Sequence, residues 1–172
     1  MKYSLALILL LVIISCSKKS DVDLYADAKA AEGKKDFQMA AETYEQLVAN
    51  FPNTAYAETS LQRLSVIYNN NLKDSRKAVF TYQRYYSMFP AGKQAPTMLF
   101  LSGFIYNNEL HQLDSAKLVY ETFLQKYPDH ELAASAKFEL ETLGKDPGQT
   151  LNPQIVKTDE IKSESPKKAL KK

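Results

Sequence analysis

An all-α fold of stacked helix pairs is predicted by three features of this chain. Its middle repeats at a period of 38 residues: Ala40, Ala78 and Ala116 share one register, Tyr44, Tyr82 and Tyr120 a second, and Ala57, Ala95 and Ala133 a third. Within each repeat, apolar residues recur three and four apart, which lays them on one helical face. Each repeat closes on an aromatic residue followed by proline, at Phe51-Pro52, Phe89-Pro90 and Tyr127-Pro128, and proline cannot continue the helix before it. A fixed period of this size marks a stack in which each unit buries its apolar face on its neighbours. No alternating strand pattern competes.

The elements follow in chain order. Residues 22–33 and 37–50 form the first predicted pair, 54–71 and 75–88 the second, 94–109 and 114–126 the third, and a closing helix covers about 130–143. The opening helix carries Ala26, Ala28, Ala30 and Ala31 where larger residues are expected, and terminal repeats are commonly atypical. Ile67-Tyr68-Asn69-Asn70 returns whole at Ile105-Tyr106-Asn107-Asn108 near the end of the next first helix. Asp36, Asp74 and Asp114 stand ahead of the second helices, where a short acidic side chain caps exposed amides. The alanine register has a steric reading. Helices approach closely where a side chain is small, and the tyrosines one turn later fill the wider gap.

The ends differ from the middle. Met1-Lys2-Tyr3-Ser4 leads into an apolar run from Leu5 to Ile14 and then Ser15-Cys16. Such a run is too short to span a bilayer and has the form of a secretory signal. Ile13-Ile14-Ser15-Cys16 resembles the bacterial lipobox, which implies cleavage before Cys16 and acylation of its thiol. Cys16 is the one cysteine of the chain, so no intrachain disulfide framework exists. Residues 1–15 are therefore expected to be a lipoprotein signal peptide, 16–21 a lipidated cysteine and polar tether, and 22–144 the repeat domain. Residues 145–172 hold Pro147, Gly148, Pro153 and Pro166, with seven lysines against four acidic residues. A segment of that composition cannot bury enough apolar surface to offset its ordering entropy, and it is expected to be a disordered Lys-rich tail. Residues 22–144 balance twelve Lys and Arg against fifteen acidic residues, so a near-neutral total hides an acidic body and a basic tail. An exported chain with an acidic body is not expected to bind nucleic acid.

The registers carry a family resemblance. Ala40, Tyr44 and Pro52, then Ala78, Tyr82 and Pro90, then Ala116, Tyr120 and Pro128 resemble tetratricopeptide repeats over residues 22 to 143. That resemblance implies a right-handed superhelical stack of three tetratricopeptide-like helix pairs plus a closing helix. The family period is 34, so 38 implies an extra turn, placed in the first helix of the pair. With the lipobox and the Phe-Pro-Asn-Thr and Tyr-Pro-Asp-His junctions, the chain is similar to envelope tetratricopeptide lipoproteins. These include the BamD-like proteins of outer-membrane β-barrel assembly and the YbgF-like coordinators of the Tol–Pal system.

The sequence offers little for chemistry. His111 and His130 are the two histidines, and neither has metal-ligand spacing. His130 reads as part of a helix-capping region. Five glycines are too few for a phosphate cradle, and no nucleophile elbow is present. No catalytic residue, cofactor or metal is expected. In the resemblance, the first helices line a groove that binds partner proteins. Carried to this chain, those positions are Tyr25 and Lys29, then Tyr56, Thr59 and Arg63, then Thr97, Leu101 and Phe104. Aromatic anchors beside a cation suit an extended or helical peptide. The expected function is a non-enzymatic, lipid-anchored scaffold on the periplasmic face of the outer membrane. Its expected partners are envelope proteins such as barrel-assembly or Tol–Pal components. The alternative is a glycan- or peptidoglycan-binding lipoprotein that uses exposed tyrosines and the lysine tail.

Overall fold

A computed structural model describes residues 18–145. The expected signal, Cys16 and the tail beyond Lys145 lie outside the described residues. Those described form seven α-helices and one π-helical segment, with no strand. The order is α1 (Asp21–Gly33), α2 (Phe37–Asn50), α3 (Ala55–Val66), the π-helical segment Ile67–Asn71, α4 (Ser75–Met88), α5 (Ala95–Asn108), α6 (Leu113–Lys126) and α7 (Ala133–Thr142). The chain divides into two compact units, one ending at Leu72 and one beginning at Lys73. The division falls inside the second sequence repeat, between its first and second helices.

In the first unit α1 packs on α2, α2 on α3, and α1 also touches α3. Leu24, Ala28 and Ala31 are the buried face of α1. They meet a core of Tyr44, Leu47, Val48, Leu61 and Leu64, none of which has exposed surface. The small residues of α1 let it lie close to α2. In the second unit each helix packs on the next, from α4 through α7. Leu99, Ala116, Val119, Tyr120, Phe123 and Ala136 are its buried cluster, with Phe100, Tyr106, Leu124, Tyr127 and Leu140 packed around it.

The repeat registers are packing positions. Ala40, Ala78, Ala116, Ala57 and Ala95 have no exposed surface, Tyr44 and Tyr120 have none, and Tyr82 is 5% exposed. Gly103 on α5 lies against the ring of Tyr120 on α6, where an added Cβ would come within 2.8 Å of Cε1. A third periodic feature is conformational. Lys35, Lys73 and His111, again 38 apart, have φ of 61°, 55° and 52° and turn the chain into each second helix.

The residue after each of these turns is the N-cap. Asp36 accepts from the Met39 amide at 3.1 Å and Asp74 from the Lys77 amide at 3.0 Å. In the third repeat the equivalent position is Gln112, which makes no side-chain cap. The sequence expectation for Asp114 is corrected accordingly. It lies inside the first turn of α6, because the repeat register puts the cap two residues earlier. Its charge still complements the helix dipole. Asp36→Ala and Asp74→Ala should each cost about 1 kcal/mol, while Asp114→Ala should cost about 0.5 kcal/mol or less. Urea denaturation of the three variants checks this ordering.

The extra length of the first helix is visible in the second repeat. There α3 runs directly into the π-helical turn, and the Leu72 amide bonds back to the Ile67 carbonyl at 2.9 Å. In the third repeat α5 stays α-helical to Asn108, yet the Leu110 amide bonds the Ile105 carbonyl at 3.0 Å in the same wide ring. The closing helix begins at Ala133, later than the sequence suggested. The His130 ring nitrogen Nδ1 accepts from the Leu132 amide at 3.2 Å and the His130 carbonyl from the Ala133 amide at 2.8 Å. His130 is thus part of the turn that starts α7, as its sequence position implied.

Candidate functional site

Five of the eight expected groove residues lie in the first unit, and the structure brings four of them together on α1 and α3. The Tyr25 ring sits between two others, 5.0 Å from Tyr56 and 5.8 Å from Tyr44 between centroids, both tilted. Tilted pairs at these spacings are favourable beyond the area they bury. Tyr44 is fully buried, Tyr25 half-buried, and Tyr56 is 36% exposed. The three rings therefore grade from core to surface.

One helical turn beyond Ala28 and two beyond Tyr25, Glu32 gathers the polar half of the cluster. Arg63 grips it with two parallel bonds, Nη2 to Oε1 at 2.6 Å and Nε to Oε2 at 3.1 Å. The Tyr44 hydroxyl donates to Glu32 Oε2 at 2.8 Å, and Lys29 Nζ lies 3.8 Å from the same oxygen. The Glu32 side chain is 10% exposed, against 40% for Arg63 and 47% for Lys29. A nearly buried carboxylate is tolerable because its lone pairs are filled by charged and neutral donors. The Glu32 hydrogen bond is the largest cause that raises the Arg63 pKa. Burial, then Glu32, pushes the Tyr44 phenol well above its ordinary value.

This geometry changes the expected part of Arg63. The sequence suggested a cation beside the aromatic anchors and available to a partner. The structure commits its guanidinium to Glu32, 31 positions away in the chain, and so uses it to tie α1 to α3. Lys29 is the more exposed cation of the cluster. Thr59 bonds the Ala55 carbonyl of its own helix at 3.0 Å and is half-buried. Thr97, Leu101 and Phe104 fall in the second unit on α5; Thr97 and Leu101 are half-buried and Phe104 is 39% exposed. Glu32 was missed by sequence reading. Its one signal was an acidic residue closing an alanine-rich helix.

The second unit carries a related arrangement. Tyr120 occupies the repeat position of Tyr44, and Glu139 on α7 occupies that of Arg63. Burial first, then the Glu139 carboxylate, raises the Tyr120 phenol. Glu139 itself accepts from Asn107 Nδ2 at 3.1 Å. Among the described residues no group of His, Cys, Asp and Glu could hold a metal ion, and no helix is long and apolar enough to cross a membrane.

Helix pairs locked by an Ala–Tyr grammar, with aromatic residues graded to the surface of the first helices, define a tetratricopeptide-like all-α protein. A family model described as YfiO, outer membrane lipoprotein, matches residues 17–146. The chain belongs to that family. No curated protein matches it.

Proposed function

We propose that this protein is a lipid-anchored scaffold of the bacterial envelope that holds a partner protein on the first-helix faces of its repeats. Cys16 is the anchoring residue and the periplasmic face of the outer membrane its site. Membership in a family of outer membrane lipoproteins supports the location. The observation that carries the binding reading is the Tyr25–Tyr56 platform with Lys29 at its rim. Tyr25 is backed by buried Tyr44, and Tyr56 and Lys29 stand at the surface beside it. Such a surface suits a peptide segment with an apolar or aromatic anchor and a nearby acid. The partners this reading favours are components of outer-membrane β-barrel assembly or of the Tol–Pal system, and the role is assembly or maintenance of the envelope without catalysis.

The test is cross-linked capture of envelope proteins by the full chain. Tyr56→Ala with Lys29→Gln removes the exposed half of the platform and leaves the Glu32–Arg63 tie in place. Loss of an aromatic anchor typically costs about 2 kcal/mol or more, so capture should fall by well over tenfold with helicity unchanged. Normal capture by this variant, together with loss of capture on deleting residues 146–172, assigns binding to the tail and rejects the platform.

A further inference from the structure

The second unit ends on a first helix with no second helix after it. Helix α5 packs on α4 before it and on α6 after it, whereas α7 packs on α6 and no helix follows it among the described residues. Leu140 and Leu143 pack on the buried cluster of the unit, while Phe138 is 56% exposed. Phe138 lies one period of 38 after Phe100. In α5 that position is covered by the next helix: the Phe100 ring is 5.8 Å from Tyr120 and 5.9 Å from Phe123, both on α6. The repeat therefore gives α7 an aromatic residue whose equivalent is covered by what comes next in the chain.

What comes next begins with a turn. Lys35 and His111, with φ of 61° and 52°, follow α1 and α5 and lead into α2 and α6, which pack back on them. Gly144, with φ of 72°, stands two residues after the end of α7, as Lys35 does after α1. The Lys145 amide bonds the Thr142 carbonyl at 2.9 Å, as the Lys35 amide bonds that of Glu32 at 2.8 Å. A glycine turn ends many helices, so the turn alone selects no occupant. The residues beyond it do. Leu151-Asn152-Pro153-Gln154-Ile155-Val156 is uncharged and holds three of the five large apolar residues after Lys145, and every lysine after Lys145 lies beyond Val156. The composition that opposes ordering thus belongs to residues 157–172. From Lys145 to Leu151 the chain spans up to about 20 Å, and α7 is about 15 Å long, so the segment can reach back over Phe138. The family match ends at residue 146, and the segment lies outside it.

We infer that Leu151–Val156 folds back on α7 and covers Phe138, so that the chain closes its own stack. Leu151 and Ile155 supply the apolar contacts to the Phe138 ring. Ala134 and Ser135, small and exposed one turn before it, let the segment approach closely. Lys137 and Glu141 beside Phe138 are paired with each other at 3.9 Å, which suits an uncharged occupant. Pro147 and Pro153 favour an extended course over a helix. A repeat stack needs its outer apolar face covered at each end. A tethered segment is present at an effective concentration of about millimolar, which a second copy of the chain reaches only in concentrated solution. This contact lies in the second unit and does not depend on the partner platform of the first, so each can fail alone.

The chain contains no tryptophan, so Phe138→Trp in the full mature chain, with Cys16→Ser to remove acylation, makes a single reporter of this surface. Its emission should be blue-shifted and shielded from acrylamide at every protein concentration. Deleting residues 146–172, or Leu151→Asp with Ile155→Asp, should shift the emission to the red and remove the shielding. Lys157→Glu with Lys162→Glu, beyond the segment, should change neither. Without the reporter, amide hydrogen exchange in α7 should speed up about fivefold or more when the segment is deleted. A reporter equally exposed with and without residues 146–172, or α7 exchange that the deletion leaves unchanged, overturns the proposal. Shielding that survives the deletion but is lost on dilution makes a second copy the occupant and rejects the segment. Shielding that appears only when envelope extract is added makes this a docking face for another protein, and the assignment to Leu151–Val156 is wrong.

Discussion

Gly103→Val should destabilise the second unit by about 2–3 kcal/mol, one of the two largest effects expected of a single substitution here. A Cβ on Gly103 would lie 2.8 Å from Tyr120 Cε1 and 3.1 Å from Cδ1 and Cζ. The ring has little room to retreat. Tyr120 has no exposed surface, and Phe100 packs on it with centroids 5.8 Å apart. Helix propensity works the other way, because glycine inside a helix is less favourable than alanine by about 1 kcal/mol and than valine by a few tenths. For Gly103→Ala the gain offsets much of the clash, leaving a net loss of about 1 kcal/mol or less. For valine the two γ-carbons add to the clash and the propensity gain is small, so overpacking dominates. Urea denaturation of both variants, alone and with Tyr120→Leu, is the check. The loss from Gly103→Ala should shrink when the ring is gone. A valine variant as stable as the parent would mean that α5 and α6 do not meet at this glycine.

The contrast between Gly103 and the alanine register shows what sequence could reveal. Ala40, Ala78 and Ala116 announce themselves by recurring, and their burial followed. Gly103 occurs in one repeat only, so its close approach has no periodic signal and becomes visible only when Tyr120 is seen beside it. Helix ends divide in the same way. The spans 37–50 and 75–88 agree with α2 and α4 because their signals are local: an Asp cap at one end and Phe-Pro at the other. In α6 the cap position holds Gln112, and the nearby Asp114 drew the expected start one residue too late. Ile-Tyr-Asn-Asn is π-helical at Ile67 and α-helical at Ile105, so an identical tetrapeptide could not have told the two apart. At the candidate site, Tyr25 and Tyr56 were legible as residues outside the core register on adjacent first helices. The use of Arg63 was not, because its partner lies in another helix and a salt bridge between helices leaves no mark in spacing.

Arg63→Ala should destabilise the first unit by about 2 kcal/mol, because it strips a bidentate charged donor from a carboxylate that is largely out of water. The full penalty for an unpaired buried charge would be larger. Two features reduce it: Arg63 is 40% exposed, and Lys29 and the Tyr44 hydroxyl remain near Glu32. Arg63→Lys should recover only part of the loss, since an ammonium cannot reproduce the two parallel bonds. Removing both partners should cost less than the two single losses added together, because Glu32→Ala with Arg63→Ala leaves no charge stranded. A double-mutant cycle in urea would therefore show a coupling of about 1–2 kcal/mol. The network also has an alkaline signature. Burial and then Glu32 raise the Tyr44 phenol above its ordinary value of 10.0. The neutral hydroxyl therefore contributes its full stabilisation below that pH, and the contribution is lost as pH rises toward the folded-state value. Tyr44→Phe should flatten the fall in stability above that pH, while Tyr56→Ala should leave it in place. Additive losses in the cycle, with an alkaline fall that Tyr44→Phe does not change, would mean that Glu32 does not tie α1 to α3.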